Sequence, residues 1–273
     1  MNARTDTLGL FYGMDIDKYH ASPAISNSGL RDFARSPAHF YGLHLDPDRP
    51  APVEKAGQLE GTLAHCAILE PAQFDARYAV GPDVSRSTKE WKAFEASQSR
   101  QCIKPDQYAA AQAQARAVHH LPDIARILSA GQPEVSAFWI DPDTGVLCRC
   151  RPDWVHPVGN NSVVLLDVKT YSDASPKEFA RQVARKGYHN QAAWYSDGYE
   201  QASGQHVVGF VFVAVESAWP HAASAVMLDD EGLAKGRADN RLLLDQYARC
   251  LAGDEWPGFT PTIELITLPA WAL

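Results

Sequence analysis

The sequence predicts an α/β fold, a central mixed β-sheet flanked by helices, and three features point to it. The hydrophobic period switches from helical to alternating beyond Gly131. Val163-Val164-Leu165-Leu166-Asp167-Val168-Lys169 is a nearly continuous apolar run, the pattern of a strand covered on both faces. A helical stretch and a second apolar strand, Val207 to Val215, follow it. With 273 residues, 45% of them apolar, the chain can bury one sizeable core and need not be divided. A single domain over 1–273 is expected, with a helical elaboration at about 20–130, the sheet core at about 131–220 and a terminal helix and strand at about 229–273.

Ile25-Ser26-Asn27-Ser28-Gly29-Leu30 reads as a polar cap opening a short helix that Pro37 helps to end, and Ala38 to Leu43 as a second helix. Asp46 to Pro52 is rich in proline and charge and reads as a loop. Gly57 to Leu69 predicts a helix with an apolar face of Leu59, Leu63, Ala67 and Leu69, ended by Glu70-Pro71. From Gly81 to Lys104 the periodicity is weak, and the segment is expected to stay mobile until a ligand binds. Pro105 to Ala130 predicts one helix, with Ala109, Ala113, Ala117 and Leu121 four apart. Val135 to Ile140 and Val146 to Trp154 predict a hairpin around the turn Asp141-Pro142-Asp143-Thr144-Gly145. After the Val163 strand come a long helix from Ser175 to Gln201 with a break near Gly187, the Val207 strand and an edge strand at Ala222 to Leu228. A helix over Asp229 to Ala252 and a last strand over Thr262 to Leu268 complete the expectation.

The formal charge of −8 argues against a protein that coats nucleic acid nonspecifically, because phosphate neutralisation needs clustered Lys and Arg. It leaves room for an enzyme that holds metal cations and confines its DNA contacts to one basic groove. Five cysteines without CxxC spacing indicate neither a disulfide framework nor structural zinc; Cys148 and Cys150 alternate on one face of a strand and read as core. No apolar run reaches the roughly 18 residues that span a bilayer, and the first thirty residues lack the features of a signal peptide, so a cytoplasmic protein is expected.

The chemistry concentrates in Pro152-Asp153 and, fourteen residues later, Asp167-Val168-Lys169. Residues i and i+2 of a strand share a face, so the Asp167 carboxylate and Lys169 ammonium enter one site while Val168 packs behind. If the Asp153 strand is adjacent, the two carboxylates meet and repel unless a cation or a proton lies between them. Oxygen ligands suit Mg²⁺, whose bound water can hydrolyse a phosphodiester, with Lys169 placed to orient that water or offset charge. The same residues read alternatively as a turn cap and a strand-end ion pair. Gln191 and Tyr195, four apart on the following helix, share a face and suit a phosphate or a water, or plain helix packing. His65, among Leu63, Ala64, Cys66 and Ala67, is in a setting where a satisfied core histidine is commoner than a ligand, and Glu134 by itself reads as a solvated strand-end acid.

Together, Gly61-Thr62-Leu63-Ala64-His65 with Leu69-Glu70-Pro71, Cys150-Arg151-Pro152-Asp153, Asp167-Val168-Lys169-Thr170 and Gln191-Ala192-Ala193-Trp194-Tyr195 resemble the nuclease domain of the RecE exonucleases. Ile25 to Leu30 and Arg35-Ser36-Pro37-Ala38-His39-Phe40 add to the likeness, which runs over roughly residues 20–220. That group is related to lambda exonuclease and the alkaline exonucleases, within the PD-(D/E)XK superfamily and its restriction-endonuclease-like core. The resemblance implies a Mg²⁺-dependent exodeoxyribonuclease, with Mn²⁺ as substitute and one or two ions per site. It would digest one strand of duplex DNA 5′-to-3′ to 5′-mononucleotides, leaving a 3′ tail. It implies His65, Asp153, Asp167 and the Val168 carbonyl as metal ligands, Lys169 as the catalytic lysine, Gln191 and Tyr195 as the helix motif, and Glu134 as a looser match to a nearby acid. It further implies a role in DNA recombination and repair, a ring-shaped homo-oligomer with a trimer favoured over a tetramer, a single-strand annealing partner, and a bacterial or phage source.

For DNA contact the sequence offers Lys177, Arg181 and Arg185, four apart on one helix, a stripe that reads equally as a solvated face paired with Glu178. Ser26, Ser28, Arg31 and Arg35 suit a 5′ phosphate. Arg86, Lys89 and Trp91 could contact the duplex or wedge its end, though Trp91 reads equally as core. Seven tryptophans, Trp271 among them, point to aromatic packing more than to a stacking platform, and the apolar Pro269 to Leu273 is a candidate subunit contact. The rival readings are another PD-(D/E)XK nuclease, an endonuclease or a single-strand exonuclease, and a catalytically silent DNA-binding scaffold.

Overall fold

The computed structural model describes residues 8–51, 53 and 56–269. A short strand β1 (Gly9–Phe11) and helix α1 (Ile16–Ala21) lead into α2 (Asn27–Arg35) and α3 (Pro37–Phe40), which runs on as a π-helical turn at Tyr41–Leu45. Ser26 caps α2 through the Gly29 N–H and Ser36 caps α3 through the His39 N–H, each cap stabilising its helix by about 1 kcal/mol. Helix α4 (Gln58–Leu69) starts at Gly57, whose φ of +78° only glycine adopts cheaply. The helix ends at Leu69 before Glu70-Pro71, as expected, and Pro71 opens a separate helix, α5 (Pro71–Arg77), as its first residue.

The stretch from Gly81 to Lys104, where weak periodicity gave no element to expect, holds defined elements. Strand β2 (Tyr78–Val80) pairs in parallel with β3 (Gln101–Ile103), and between them α6 (Lys89–Ala96) is capped by Thr88 and anchored by the buried Trp91. The helix expected from Pro105 to Ala130 is two, α7 (Pro105–His119) and α8 (Pro122–Leu128), since Pro122 can begin a helix but not continue one.

Strands β4 (Gln132–Pro133), β5 (Ser136–Ile140), β6 (Leu147–Cys150), β7 (Trp154–Val158) and β8 (Ser162–Tyr171) follow. The expected hairpin is real but does not run unbroken to Trp154. Its outer part, β5–β6 with β1, forms a three-stranded antiparallel sheet, while β4 and β7 belong to the main sheet. Both strands change sheets at one corner, through Glu134 on one side and Arg151-Pro152-Asp153 on the other, bridged by the Glu134 N–H donating to the Asp153 carbonyl at 3.0 Å.

Helices α9 (Pro176–Lys186) and α10 (Tyr188–Ser203) break at Gly187, φ +68°, and carry the chain to β9 (His206–Glu216), which lies parallel to β8. Strand β10 (Ala223–Met227) forms the edge, giving the order β10-β9-β8-β7-β4, and α11 (Asp230–Gly253) packs outside α10. The predicted α/β class with a mixed sheet holds. Alternate residues of the central strands feed two cores, which explains their unbroken apolar sequence. Leu165, Phe210 and Phe212 pack with α9, α10 and α11; Leu166, Val168, Val211 and Val213 pack with α4, α7 and α8.

Thr262 to Leu268 is not a strand: it pairs with no strand among the described residues, and Ile263 and Leu265 are about fully exposed at 103% and 101%. An alternating sequence confers strand propensity, but a strand also needs an edge to pair with. The apolar segment ending the sequence, including Trp271, lies outside the described residues apart from Pro269. No helix among the described residues is long and apolar enough to cross a membrane.

Candidate active site

Strand β8 outruns its antiparallel neighbour: β7 pairs with it over Ser162–Leu166, while β9 follows it to Tyr171. Beyond Leu166, therefore, one backbone edge of β8 faces the corner where the sheets divide. Two side chains satisfy it at Val168. Asp153 Oδ2 accepts the Val168 N–H at 2.7 Å, and His65 Nε2 donates to the Val168 carbonyl at 2.9 Å. A carbonyl can only accept, so Nε2 carries the proton and Nδ1, 3.5 Å from Asp153 Oδ2, presents its lone pair. The carbonyl suggested as a metal ligand is thus engaged by His65 here.

Trp154 pairs with Leu166, so Asp153 and Asp167 stand one step further in the same register. Asp167 is 2% exposed; its Oδ1 accepts from Gln191 Nε2 at 2.6 Å and its Oδ2 forms an ion pair with Lys169 Nζ. Beyond Lys169, Oδ2 has no partner among the described residues. Lys169 Nζ lies 5.0 Å from the centre of the Tyr188 ring, and the Tyr188 hydroxyl meets that of Tyr171 at 2.5 Å. Glu134, a solvated acid by its own pattern but a nearby acid by the resemblance, lies at the site. Ligand atoms of His65, Glu134 and Asp153 all lie within 4.8 Å of one another, and Arg151 Nε donates to Glu134 Oε2 at 2.8 Å. Asp167 stands beside this trio, tied to Lys169 and Gln191.

Burial, followed by the charges of Asp167 and Glu134, pushes the Asp153 carboxyl well above the usual carboxylate range. Burial also raises Glu134, against the opposing pull of Arg151. Burial and then Lys169 lower His65, leaving the neutral imidazole that binds metals. Burial alone would lower Lys169, but Asp167 and Asp153 outweigh it and keep the ammonium. Two carboxyl groups and a neutral imidazole thus converge on one corner, with the Asp167–Lys169 ion pair beside them. Such a donor set fits a hard divalent cation.

Tyr195 lies one turn beyond Gln191 on α10, and burial raises its phenol well above its ordinary value, leaving it neutral. The sequence reading missed Arg151, Tyr171 and Tyr188; Tyr171 was within reach, since it follows Lys169 by two on one strand and shares its face.

The proposed DNA contacts fare unevenly. Trp91 is 1% exposed, packed with Ala79, Cys102 and Phe94, so it cannot stack on a base; the core reading wins because its ring closes the small β2–β3 layer. Arg86 is exposed but lies over the Trp91 ring at 5.2 Å and donates to Gln107 at 3.1 Å, and Lys89 is exposed at the start of α6. Lys177, Arg181 and Arg185 are all exposed on α9, with Arg181 held by Glu178 at 2.9 Å. Ser26 spends its hydroxyl on the α2 cap and on Ser28, while Arg31 and Arg35 are exposed. Arg31 lines a cleft with Lys186 and Asn190.

A mixed sheet bearing Pro152-Asp153 on one strand's approach and Asp167-Val168-Lys169 on its neighbour has the pattern for which the PD-(D/E)XK class is named. The chain belongs to the family described as PDDEXK-like domain of unknown function (DUF3799), whose model matches residues 26–269. A candidate exonuclease from Eubacterium rectale shares the fold, with a TM-score of 0.65 at 14% identity over 95% of this chain and 96% of that one. An alkaline exonuclease from Laribacter hongkongensis matches at 14% identity over 67% of this chain and 97% of that one, with a TM-score of 0.28. Comparison with curated proteins gave no match.

Proposed function

We propose that this chain is a metal-dependent 5′-to-3′ exonuclease. It digests one strand of linear duplex DNA to 5′-mononucleotides and leaves 3′ single-stranded tails for recombination by strand annealing. The observation that carries the reading is the buried placement of Asp153 and Asp167 beside Lys169, whose ammonium is ion-paired with Asp167 while His65 and Glu134 bring further ligand atoms to Asp153. Family membership and the motif resemblance support it.

In this reading Asp153 and Asp167, with His65 and Glu134, hold one or two Mg²⁺ ions, for which Mn²⁺ substitutes. The metal supplies an activated water and offsets charge on the phosphate. Lys169, its ammonium kept by the two aspartates, positions the attacking water. Gln191 fixes the Asp167 carboxylate, and Tyr195, neutral, is available as a hydrogen-bond donor. The Val168 carbonyl, which has a second lone pair beside the one engaged by His65, is a further ligand. Arg31, Arg35, Lys177, Arg181 and Arg185 are the DNA contacts. The protein works as one nuclease domain within a homo-oligomeric ring, a trimer before a tetramer, and hands its 3′ tail to an annealing protein.

The test incubates the protein and Lys169→Ala with linear duplex labelled at the 5′ or 3′ end, with Mg²⁺ or with EDTA. Mononucleotides released early from the 5′ label, dependent on metal and on Lys169, are expected. Equal cleavage of a covalently closed circle would show an endonuclease, and duplex binding without cleavage in either metal would show a silent scaffold.

A further inference from the structure

The roles above leave Arg151 unused, although its guanidinium is fixed on several sides. Nε donates to Glu134 Oε2 at 2.8 Å, and Nη1 donates to the Met14 carbonyl at 3.0 Å and to Ser136 Oγ at 3.2 Å. The group also lies over the Tyr19 ring at 5.5 Å. Tyr19 is gripped in turn by Arg149, which stacks on the ring at 4.7 Å and donates through Nη1 to the carbonyls of Tyr19 and, at 2.9 Å, Ser22. Met14, Tyr19 and Ser22 precede the 26–269 family match, so a segment outside it is built into the site's surroundings.

Glu134 has its own peculiarity. Its φ is +53°, a left-handed conformation that a non-glycine residue adopts only when the surrounding structure imposes it. Here the imposing contacts are the Glu134 N–H to the Asp153 carbonyl and the carboxylate to Arg151. An ion pair serving stability alone needs neither the strained backbone nor an acid aimed at His65 and Asp153.

We propose that Arg151 is a positioning residue, which holds the Glu134 carboxylate toward His65 and Asp153 because the N-terminal segment around Met14 and Tyr19 fixes its guanidinium. The role rests on the reading that this trio holds metal. Outer partners that orient a ligand change metal affinity without touching the metal.

The experiment is calorimetric titration of Mn²⁺ into the full chain without DNA. Arg151→Met, which keeps the aliphatic stem, is expected to raise Kd by about tenfold or more, the range for loss of a ligand's orienting partner. Glu134→Gln is expected to do the same, and the double variant to lose no more than the worse single one, because the two act through one carboxylate. Arg151→Lys is expected not to restore affinity, since one ammonium cannot make the forked contacts. Equal losses from Arg151→Met in the wild-type and Glu134→Gln backgrounds would overturn the proposal. So would wild-type affinity in Glu134→Gln, a measurement that stands even if Arg151→Met fails to melt cooperatively. Asp153→Asn separates the two levels of the argument: abolished binding there keeps the site reading whatever Arg151 does, and retained binding sinks both.

Discussion

Asp153 is buried at a cost. Its carboxyl is pushed up by burial and by its acidic neighbours, so in the metal-free protein the folded form holds a proton that the unfolded chain has already released. Stability then falls as pH rises through the folded pKa, because over that window the native state binds more protons than the unfolded one. His65 works the other way: its lowered pKa makes the unfolded chain the better proton binder, so its contribution fades as pH drops below the ordinary histidine range. Asp153→Asn keeps an oxygen to accept the Val168 N–H and removes the charge. It is expected to raise the Tm of the EDTA-treated protein at pH 8, by an amount equivalent to about 0.5–2 kcal/mol, and to abolish cleavage, a trade of stability against activity. A scanning calorimeter run at pH 6 and pH 8 decides it; no gain at pH 8 would mean Asp153 is not strained by burial. Lys169 offers a second test. The Tyr188 ring lies across its ammonium, an interaction of about 0.5–2 kcal/mol. Tyr188→Leu should slow single-turnover cleavage about two- to thirtyfold while Tyr188→Phe stays near wild type. Equal loss in both would assign the effect to the hydroxyl pair with Tyr171.

Helix α10 carries Gln191 to Asp167, and its placement depends on how closely it approaches β5. A Cβ added at Gly198 would lie 2.2 Å from the Trp139 ring. Gly198→Ala therefore sets a helix-propensity gain of about 1 kcal/mol against an overpacking cost of about 1–3 kcal/mol. Lower Tm and slower cleavage are expected; a raised Tm would show that the Trp139 ring yields freely. The elements that hold the site were also those most legible in sequence. The β8 run announced itself because two cores cover its faces, and Gly187 marked the α9–α10 break through its backbone freedom. By contrast β2, β3 and α6 span three, three and eight residues, too few for a period to emerge. Asp153, Asp167 and Lys169 were readable because strand geometry fixes which side chains share a face. Glu134 was reached only through the motif resemblance, since it comes to the site through a corner between two sheets, and Arg151 and Tyr188 enter through contacts that no local spacing encodes.

At the scale of the molecule, the proposed function poses the problem of how a chain of net charge −8 would grip a polyanion. Long-range attraction is unavailable, so affinity must come from cations concentrated along the path of the backbone, and the exposed face of α9 is the densest such row read from the sequence. Its members are not equivalent. Arg181 is already paired with Glu178, and trading one partner for another gains little, whereas Lys177 and Arg185 are exposed on the same helix. Each phosphate contact steepens the fall of log affinity with log salt by about 0.9. In the cleavage-silent Asp153→Asn background, Lys177→Ala with Arg185→Ala should weaken duplex binding and flatten that slope by about 1.8, two contacts' worth. Arg181→Ala should change it by less than one contact. Fluorescence anisotropy over a salt series measures both. An unchanged slope in the double variant would remove α9 from the DNA path and transfer the role to the Arg31 and Lys186 cleft, where the same titration applies.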